Sequence, residues 1–566
     1  MSGSTDRLVK GIIVSGALVL AACAPASVQP PAAPPAPAAA PAPAPGAPAV
    51  PAAPQPKNGG MLTYSPTTAP ATLNPYIAAA ANDEEALGVT YESLFSWRHD
   101  PGTDYRVKFE VVPWLAESWK QVDPVTYDVS LRKGVKWHDG VEFTADDVEW
   151  SLNYAIDPKN NLRARSRYFV QVAAVKALDR NTVRITATGP KPDFLSSLAE
   201  RGAFILPKHV VDRGDDLRKV VVGTGPFKFK EFDPNSHIQH AKNPDYWQSG
   251  KPYVDGVKIL YNMQAQHQDA AFIGGQIDIL HRNDRKQLEQ IQRQVPGLQF
   301  GKAIVQSGLG IIPKVDKKPL DDERVRKAIH LAVDRQGLNA TATFGDGVIN
   351  PPGMPGDKDG WAIPPDELLK LPGFRQPKEP DIAEAKRLLA EAGFANGLKL
   401  NLLYGTNLTL GVRIVEPLQA QLAQVGVQVE LRPLPVAEAT AEETKGQFDL
   451  LLNNTADHQF TFQFVYLYSK GAGYNGVSDP KLDDMLERMT RGIDEKERMK
   501  AGLEVQRYLL EKNYVIATIA PASFPMWQPW VFDYIYEPSN VTRLLRQQGY
   551  RIWMDVEKMP AGRKLG

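Results

Sequence analysis

The chain has 566 residues with 43% hydrophobic content, and its 65 Lys and Arg balance 65 Asp and Glu to a formal net charge of zero. A neutral balance carries no basic footprint for nucleic acid, and a lone cysteine excludes internal disulfides and thiolate metal sites. At roughly 100–200 residues per domain, the length allows about two to four domains with sizeable cores.

The N-terminus reads as an export signal. Arg7 and Lys10 form a short positive region, and Gly11 to Ala22 is an uncharged stretch rich in Ile, Val, Leu and Ala that ends in small residues. A membrane span needs about 20 apolar residues, and this run is shorter. The order Leu20-Ala21-Ala22-Cys23 resembles the bacterial lipobox, in which the Cys thiol is acylated and becomes the new N-terminus. On that reading Cys23 tethers the mature protein to a membrane surface; the competing reading is a weak transmembrane anchor or a cleaved signal with an incidental cysteine. Residues 24–56 hold thirteen prolines, fourteen alanines and no charge. Such a segment cannot bury a core and lies extended as a semi-rigid spacer, reaching up to roughly 100 Å at about 3.1 Å per residue. Residues 1–22 are therefore expected to be a lipoprotein signal peptide, and 23–58 an acylated cysteine with its stalk.

The remainder carries ordinary globular patterning, with no internal repeat. "TYDVSLRKGVKW" alternates Tyr127, Val129 and Leu131 with polar residues and turns at Lys133-Gly134, which predicts a half-buried strand and a hairpin. "FTADDVEWSLNYAI" predicts a helix capped by Thr144, with Asp146 and Asp147 in its positive first turn and Val148, Leu152 and Ala155 on one face. "DDERVRKAIHLAVDRQGL" predicts another, through Val325, Ala328, Ile329 and Ala332. "GTGPF" (223–227) lacks the third glycine, the Gly-Lys-Ser/Thr and the strand–helix context of a phosphate loop, and reads as structural.

The C-terminal half repeats a helix–glycine–strand order. "DIAEAKRLLAEAGF" places Ala385, Leu388, Leu389 and Ala392 on one face and stops at Gly393, before "LKLNLLY". "VEPLQAQLAQVG" packs through Val415, Leu418, Leu422 and Val425 and stops at Gly426, before "VQVELRPL". Glycine after the last helical residue accepts the left-handed cap, and the alternation predicts an α/β domain. Two strands open into loops rich in amides and hydroxyls: Gly405-Thr406-Asn407 and Asn453-Asn454-Thr455-Ala456-Asp457. In open α/β sheets ligands sit beyond the carboxyl ends of strands. Ordinary turn chemistry uses the same residue types, so both readings stand at this level.

Several blocks resemble, in order, the family 5 extracellular solute-binding proteins of ABC importers, which include oligopeptide-, dipeptide- and nickel-binding proteins. They are "YESLFSW" (91–97), "PWLAESWKQVDPVTYDVSLRKGVKWHDGVEFTADDVEWSL" (113–152), "VGTGPFKFKEFDP" (222–234), "NPDYWQSGKPYVDGVKI" (243–259), "PLDDERVRKAIHLAVDR" (319–335) and "DIAEAKRLLAEAGF" (381–394). The resemblance implies an α/β, bilobal fold of the periplasmic-binding-protein type II kind, with an extra small domain and a ligand cleft between lobes. It implies a discontinuous first lobe (59–85, 199–304 and 516–558), a small domain inserted at 86–198 and a second lobe at 305–515. "GTGPF" would then mark a crossover between lobes.

The resemblance also implies the site. In peptide-binding members an acid after a strand of the second lobe pairs with the ligand's free α-amino group, and Asp457 of "NNTADHQF" matches it. A carboxylate in a closing, dewetted cleft binds an ammonium group strongly and directs it. The tryptophan common three residues earlier is Asn454 here, and His458 follows the acid, so peptide specificity does not transfer directly. "GAGYNG" matches a loop near the ligand, which adds Tyr474 and Asn475 to the candidates Asp457, Asn454, Asn453, Thr406 and Asn407. The alternating aromatics Phe460, Phe462, Phe464, Tyr466 and Tyr468 read more readily as core packing.

The implied function is capture of peptides or similar small organic solutes at the extracytoplasmic face, and delivery to an ABC permease and, through it, an ATPase. No cofactor, resident metal or nucleic acid is expected. The alternatives are a nickel or metal-chelate binder, a signalling receptor of the same build, and an exported hydrolase. For hydrolysis, Gly-x-Ser-x-Gly and His-Glu-x-x-His are both absent from the sequence. Paired acids Asp146-Asp147 and Asp321-Asp322 fall at helix starts, where capping explains them. For metal, His237 and His240 are the one close histidine pair among nine, and in a strand their spacing sends them to opposite faces.

Overall fold

The computed structural model describes residues 54–66, 69–77, 81–98, 110–200, 202–304, 308–352, 360–406, 408–455, 475–492, 494–535, 549–560 and 563. The chain divides into two units, Met1–Gln55 and Pro56–Gly566. Of the first, Pro54 and Gln55 alone are described, both exposed. The signal, Cys23 and nearly all of the proline–alanine tract therefore lie outside the described residues.

Within the second unit, one lobe is built on an eight-stranded mixed sheet. Its spatial order is Gln299–Phe300, Ala522–Trp527, Ile279–Arg282, Met61–Tyr64, Gly256–Leu260, His237–Lys242 and Phe227–Asp233, with Ala303–Ile304 also pairing Ala522–Trp527. Met61–Tyr64 runs parallel to both Gly256–Leu260 and Ile279–Arg282, so these three strands end on one edge.

The other lobe holds a five-stranded sheet, in the order Val427–Leu434, Leu398–Gly405, Leu450–Asn454, Leu309–Pro313 and Ile516–Ala517. The first three strands are parallel. Both faces are covered: Leu450 and Leu452 enter one apolar core while Leu451 enters another, as the two-residue period of a strand requires. The flanking helices Glu379–Glu391 and Thr409–Gln424 end before Gly393 and Gly426, each at φ 90°, at the stops expected from sequence. Ile304 ends a strand of the first sheet and Leu309 begins one of the second, and the chain returns from Ala517 to Ala522.

A four-stranded antiparallel sheet, Ala116–Asp123, Thr126–Leu131, Thr182–Ala187 and Val172–Asp179, carries the helix Ala145–Ile156. Thr144 and Asp147 form its capping box, and Val148, Leu152 and Ala155 are fully buried. Val129, Leu152 and Ile185 share one continuous core with Leu62, Val257 and Met526 of the eight-stranded sheet.

Three local expectations are revised. Tyr127, Val129 and Leu131 are buried, but their strand forms its hairpin with the preceding Ala116–Asp123, and Lys133-Gly134 is a separate turn. The helix expected across 321–338 breaks at Val333 into Glu323–Ala332 and Arg335–Ala342. Asp334 caps the second piece by accepting the Gly337 amide, while buried Arg335 turns back and donates to the carbonyls of His330 and Val333. An arginine that satisfies the terminal carbonyls of one helix makes the break stable. Finally, "GTGPF" is structural but does not lie between the lobes. A Cβ on Gly223 would sit 1.9 Å from the Thr90 carbonyl, so this loop packs by direct backbone approach against the segment that leads into the small domain expected at 86–198.

Candidate functional site

The parallel strands of the second lobe end where the chain crosses to the first. Tyr404 pairs with Leu452 in the last rung between these strands, and Thr406 and Asn454 each lie two residues beyond it, at the carboxyl ends of neighbouring parallel strands. Both are exposed. The Thr406 amide donates to the Leu434 carbonyl at 3.0 Å, which extends the ladder to its last rung. Asn453 is half-buried and donates from Nδ2 to Glu443 Oε2 at 3.2 Å, while its Oδ1 accepts the Asn454 amide at 2.8 Å. Thr455 is buried, and its amide and hydroxyl both reach the Gly308 carbonyl, at 2.8 and 3.2 Å. Thr518, on the return crossing, likewise donates its amide and hydroxyl to the Leu309 carbonyl, at 2.9 and 2.7 Å. Thr455 and Thr518 thus clamp the strand end and both crossings together.

Asn475 lies apart from this edge, in the protein interior at 1% exposure. Its carbonyl accepts the Val315 amide at 2.8 Å, and its Nδ2 meets no acceptor among the described residues. Thr406, Asn453 and Asn454 all lie at the carboxyl ends of adjacent parallel strands. Asp457, Tyr474, Asn407 and the aromatic run from Phe460 to Tyr468 lie outside the described residues.

Across the gap, the first lobe presents the carboxyl end of Ile279–Arg282 and the helix Arg285–Gln292 that follows. Asp284 caps this helix through Oδ1 and accepts Arg413 of the second lobe on Oδ2 at 2.8 Å. Asp346, 5% exposed, receives Arg285 on both oxygens and Lys302 at 2.8 Å. The Arg285 guanidinium, followed by the Lys302 ammonium, holds its carboxyl down at about 2.

One residue that the sequence did not single out ties four of the quoted sequence blocks together. Glu92, 5% exposed, accepts Trp114 Nε1 at 2.7 Å, Thr224 Oγ1 at 2.8 Å, Tyr246 Oη at 2.8 Å and Trp247 Nε1 at 3.2 Å. Trp114 and Trp247 also meet edge to face, 5.4 Å between ring centres. Burial raises the Glu92 carboxyl to about 7, against the opposing pull of the four donors. The signal was present as Tyr91-Glu92, Pro113-Trp114, Gly223-Thr224-Gly225 and Tyr246-Trp247, but their convergence was not.

The histidine pair faces two ways. His240 is fully buried against Thr90 Oγ1 at 2.9 Å, and burial lowers it to about 3; His237 meets Glu231 and Ser236. No group of three or more metal-ligating side chains occurs among the described residues. No helix among the described residues is long and apolar enough to cross a membrane.

Comparison with known proteins places this architecture. The chain is 28% identical over 380 residues to the glutathione-binding protein GsiB of Escherichia coli, an alignment covering 66% of this chain and 70% of that one. Its fold matches the ABC transporter substrate-binding protein CtaP of Listeria monocytogenes, with TM-score 0.73, 22% identity, and coverage of 88% of this chain and 100% of that one. It also matches DppA of Helicobacter pylori, solved in complex with the peptide STSA, with TM-score 0.72, 24% identity, and coverage of 88% and 98%. The fold is therefore the bilobal α/β fold of periplasmic binding proteins, with its cleft between the lobes. The sequence model of the bacterial extracellular solute-binding proteins, family 5, middle region, matches residues 110–476. The chain belongs to that family, whose members are the extracytoplasmic substrate-binding components of ABC importers.

Proposed function

We propose that the protein captures a peptide or similar small organic solute between its lobes and presents it to an ABC permease coupled to an ATPase. The observation that carries this reading is the exposed polar edge of Thr406 and Asn454, at the carboxyl ends of parallel strands and beside both chain crossings. The names of the relatives, which bind glutathione and a peptide, support the same ligand class. Asp457 lies three residues beyond Asn454; in this reading it pairs with the ligand's free ammonium group, and Tyr474 completes the surroundings, while Asn475, buried beside Val315, leaves the candidate set. The protein is a receptor and not an enzyme. Cys23 carries the lipid, and the proline–alanine tract is the leash. In this reading the first lobe comprises 59–85, 199–304 and 516–558, with a small domain inserted at 86–198, and the second lobe comprises 305–515.

The test is calorimetry with short peptides, alongside free and chelated Ni²⁺, after mass spectrometry of what co-purifies. Asp457→Ala should weaken free-ammonium peptides by about tenfold to a hundredfold, the worth of a charge-assisted hydrogen bond. N-acetylated peptides should change less than about twofold. Equal loss for both kinds would remove Asp457 from the site, and saturable binding of nickel alone would favour the metal reading.

A further inference from the structure

Three consecutive residues at the start of one first-lobe helix reach two parts of the second lobe. Asp284 Oδ2 accepts Arg413, on the helix Thr409–Gln424, at 2.8 Å. Arg285 forks onto Asp346, in the turn between Arg335–Ala342 and Val348–Ile349, with Nε at 2.6 Å from Oδ2. Lys286 places its ammonium 4.5 Å from the ring centre of Phe344, in the same turn. Lys302, beside the first crossing, adds a second cation to Asp346 at 2.8 Å.

Phe344 carries a further mark of a built contact. Its φ is +56°, in the left-handed region, where a bulky side chain is strained, and it remains 42% exposed. The Thr343 hydroxyl accepts the Gly347 amide at 3.0 Å, and Asn339 Nδ2 donates to the Gly347 carbonyl at 3.1 Å, which braces the turn. The cations are half in solvent: Arg285, Lys302 and Arg413 side chains are 48%, 43% and 37% exposed. Groups so placed return to water cheaply when the lobes part, unlike a fully buried pair.

We propose that the first turn of the helix Arg285–Gln292 is an electrostatic latch between the lobes. Each contact exists only while the lobes are together, so each favours closure before any solute arrives. The latch biases the hinge by an amount set by ionic strength, because its cations are solvent-accessible. This inference concerns lobe closure alone and does not depend on the identity of the solute.

The test is pulsed dipolar spectroscopy on the full chain without added solute, with C23S and spin labels at K230C and K500C, exposed positions one on each lobe. Asp284→Asn keeps a good helix cap while removing the charge that meets Arg413, and Arg413→Gln removes the other partner from a half-exposed site. Each should raise the ratio of long to short label distances about fivefold, the scale of one such contact, and 1 M NaCl should do the same to the parent. Arg180→Gln, which breaks the Arg180–Glu142 pair inside one lobe, serves as control. An unchanged ratio in both variants, or an equal change in the control, overturns the latch.

Discussion

Glu92 and Asp346 are each 5% exposed, yet their carboxyls shift in opposite directions. Glu92 is raised to about 7 and Asp346 is lowered to about 2. Glu92 sits among neutral donors, two indoles, a phenol and a threonine hydroxyl, so desolvation dominates. Asp346 faces a guanidinium and an ammonium, which outweigh its burial. Burial pushes both carboxyls up, and the charge of the partners decides whether that push is overcome. Each arrangement also matches its place in the molecule. A neutral cage fits a joint within one lobe, and a charged pair with wet cations fits a contact that opens.

The largest expected effect comes from emptying the cage. Glu92→Ala leaves four donors without their acceptor and should cost about 3–5 kcal/mol in urea unfolding, since buried partners stripped of a carboxylate pay their full desolvation. The second effect is on pH dependence. A carboxyl whose folded value lies above its ordinary 4.5 contributes stability that is complete below 4.5 and is lost as pH rises through about 7. That loss is about 3 kcal/mol, and Glu92→Gln should flatten the stability profile across this window in parallel urea titrations. Stability at pH 7 equal to that at pH 4.5 in the parent, after allowing for other groups, would show that the four donors keep Glu92 ionised.

Asp346 should give the smallest change, with the opposite sign. Its contribution is present above the ordinary carboxyl value of 3.8 and is lost as pH falls through about 2. Asp346→Asn should lower stability at pH 7 by about 1 kcal/mol or less, because the cations are half exposed. The same variant should remove part of the salt sensitivity of lobe closure. A loss as large as that of Glu92→Ala would mean that Asp346 holds the fold together and not merely the lobes.

Much of the second lobe is legible in the sequence because its signals are local. Leu450 to Leu452 announce a strand covered on both faces, and Gly393 and Gly426 end helices wherever they occur in such a pattern. The capping of Ala145–Ile156 by Thr144 and Asp147 spans three residues and needs no tertiary help. At the site, the strand ending at Asn454 is legible as a carboxyl edge. Resemblance alone assigned Asn475 to that edge, while its burial against Val315, away from it, depends on packing no local pattern encodes. The helix break at Val333 is hidden for a related reason: the apolar spacing continues through it, and the side chain that stabilises the break, Arg335, also binds the carbonyl of distant Ala517 at 2.7 Å.

The sequence by itself determined most elements of the second lobe, the balance of charge and the order of blocks that resembles the family. Each rests on chemistry within a few residues or on composition. Tertiary structure decided which carboxylates matter. Glu92 gathers donors up to 155 positions away, and Asp284 meets Arg413 across 129. Electrostatic energy depends on distance in space and on the surrounding dielectric, and neither is fixed until the chain has folded.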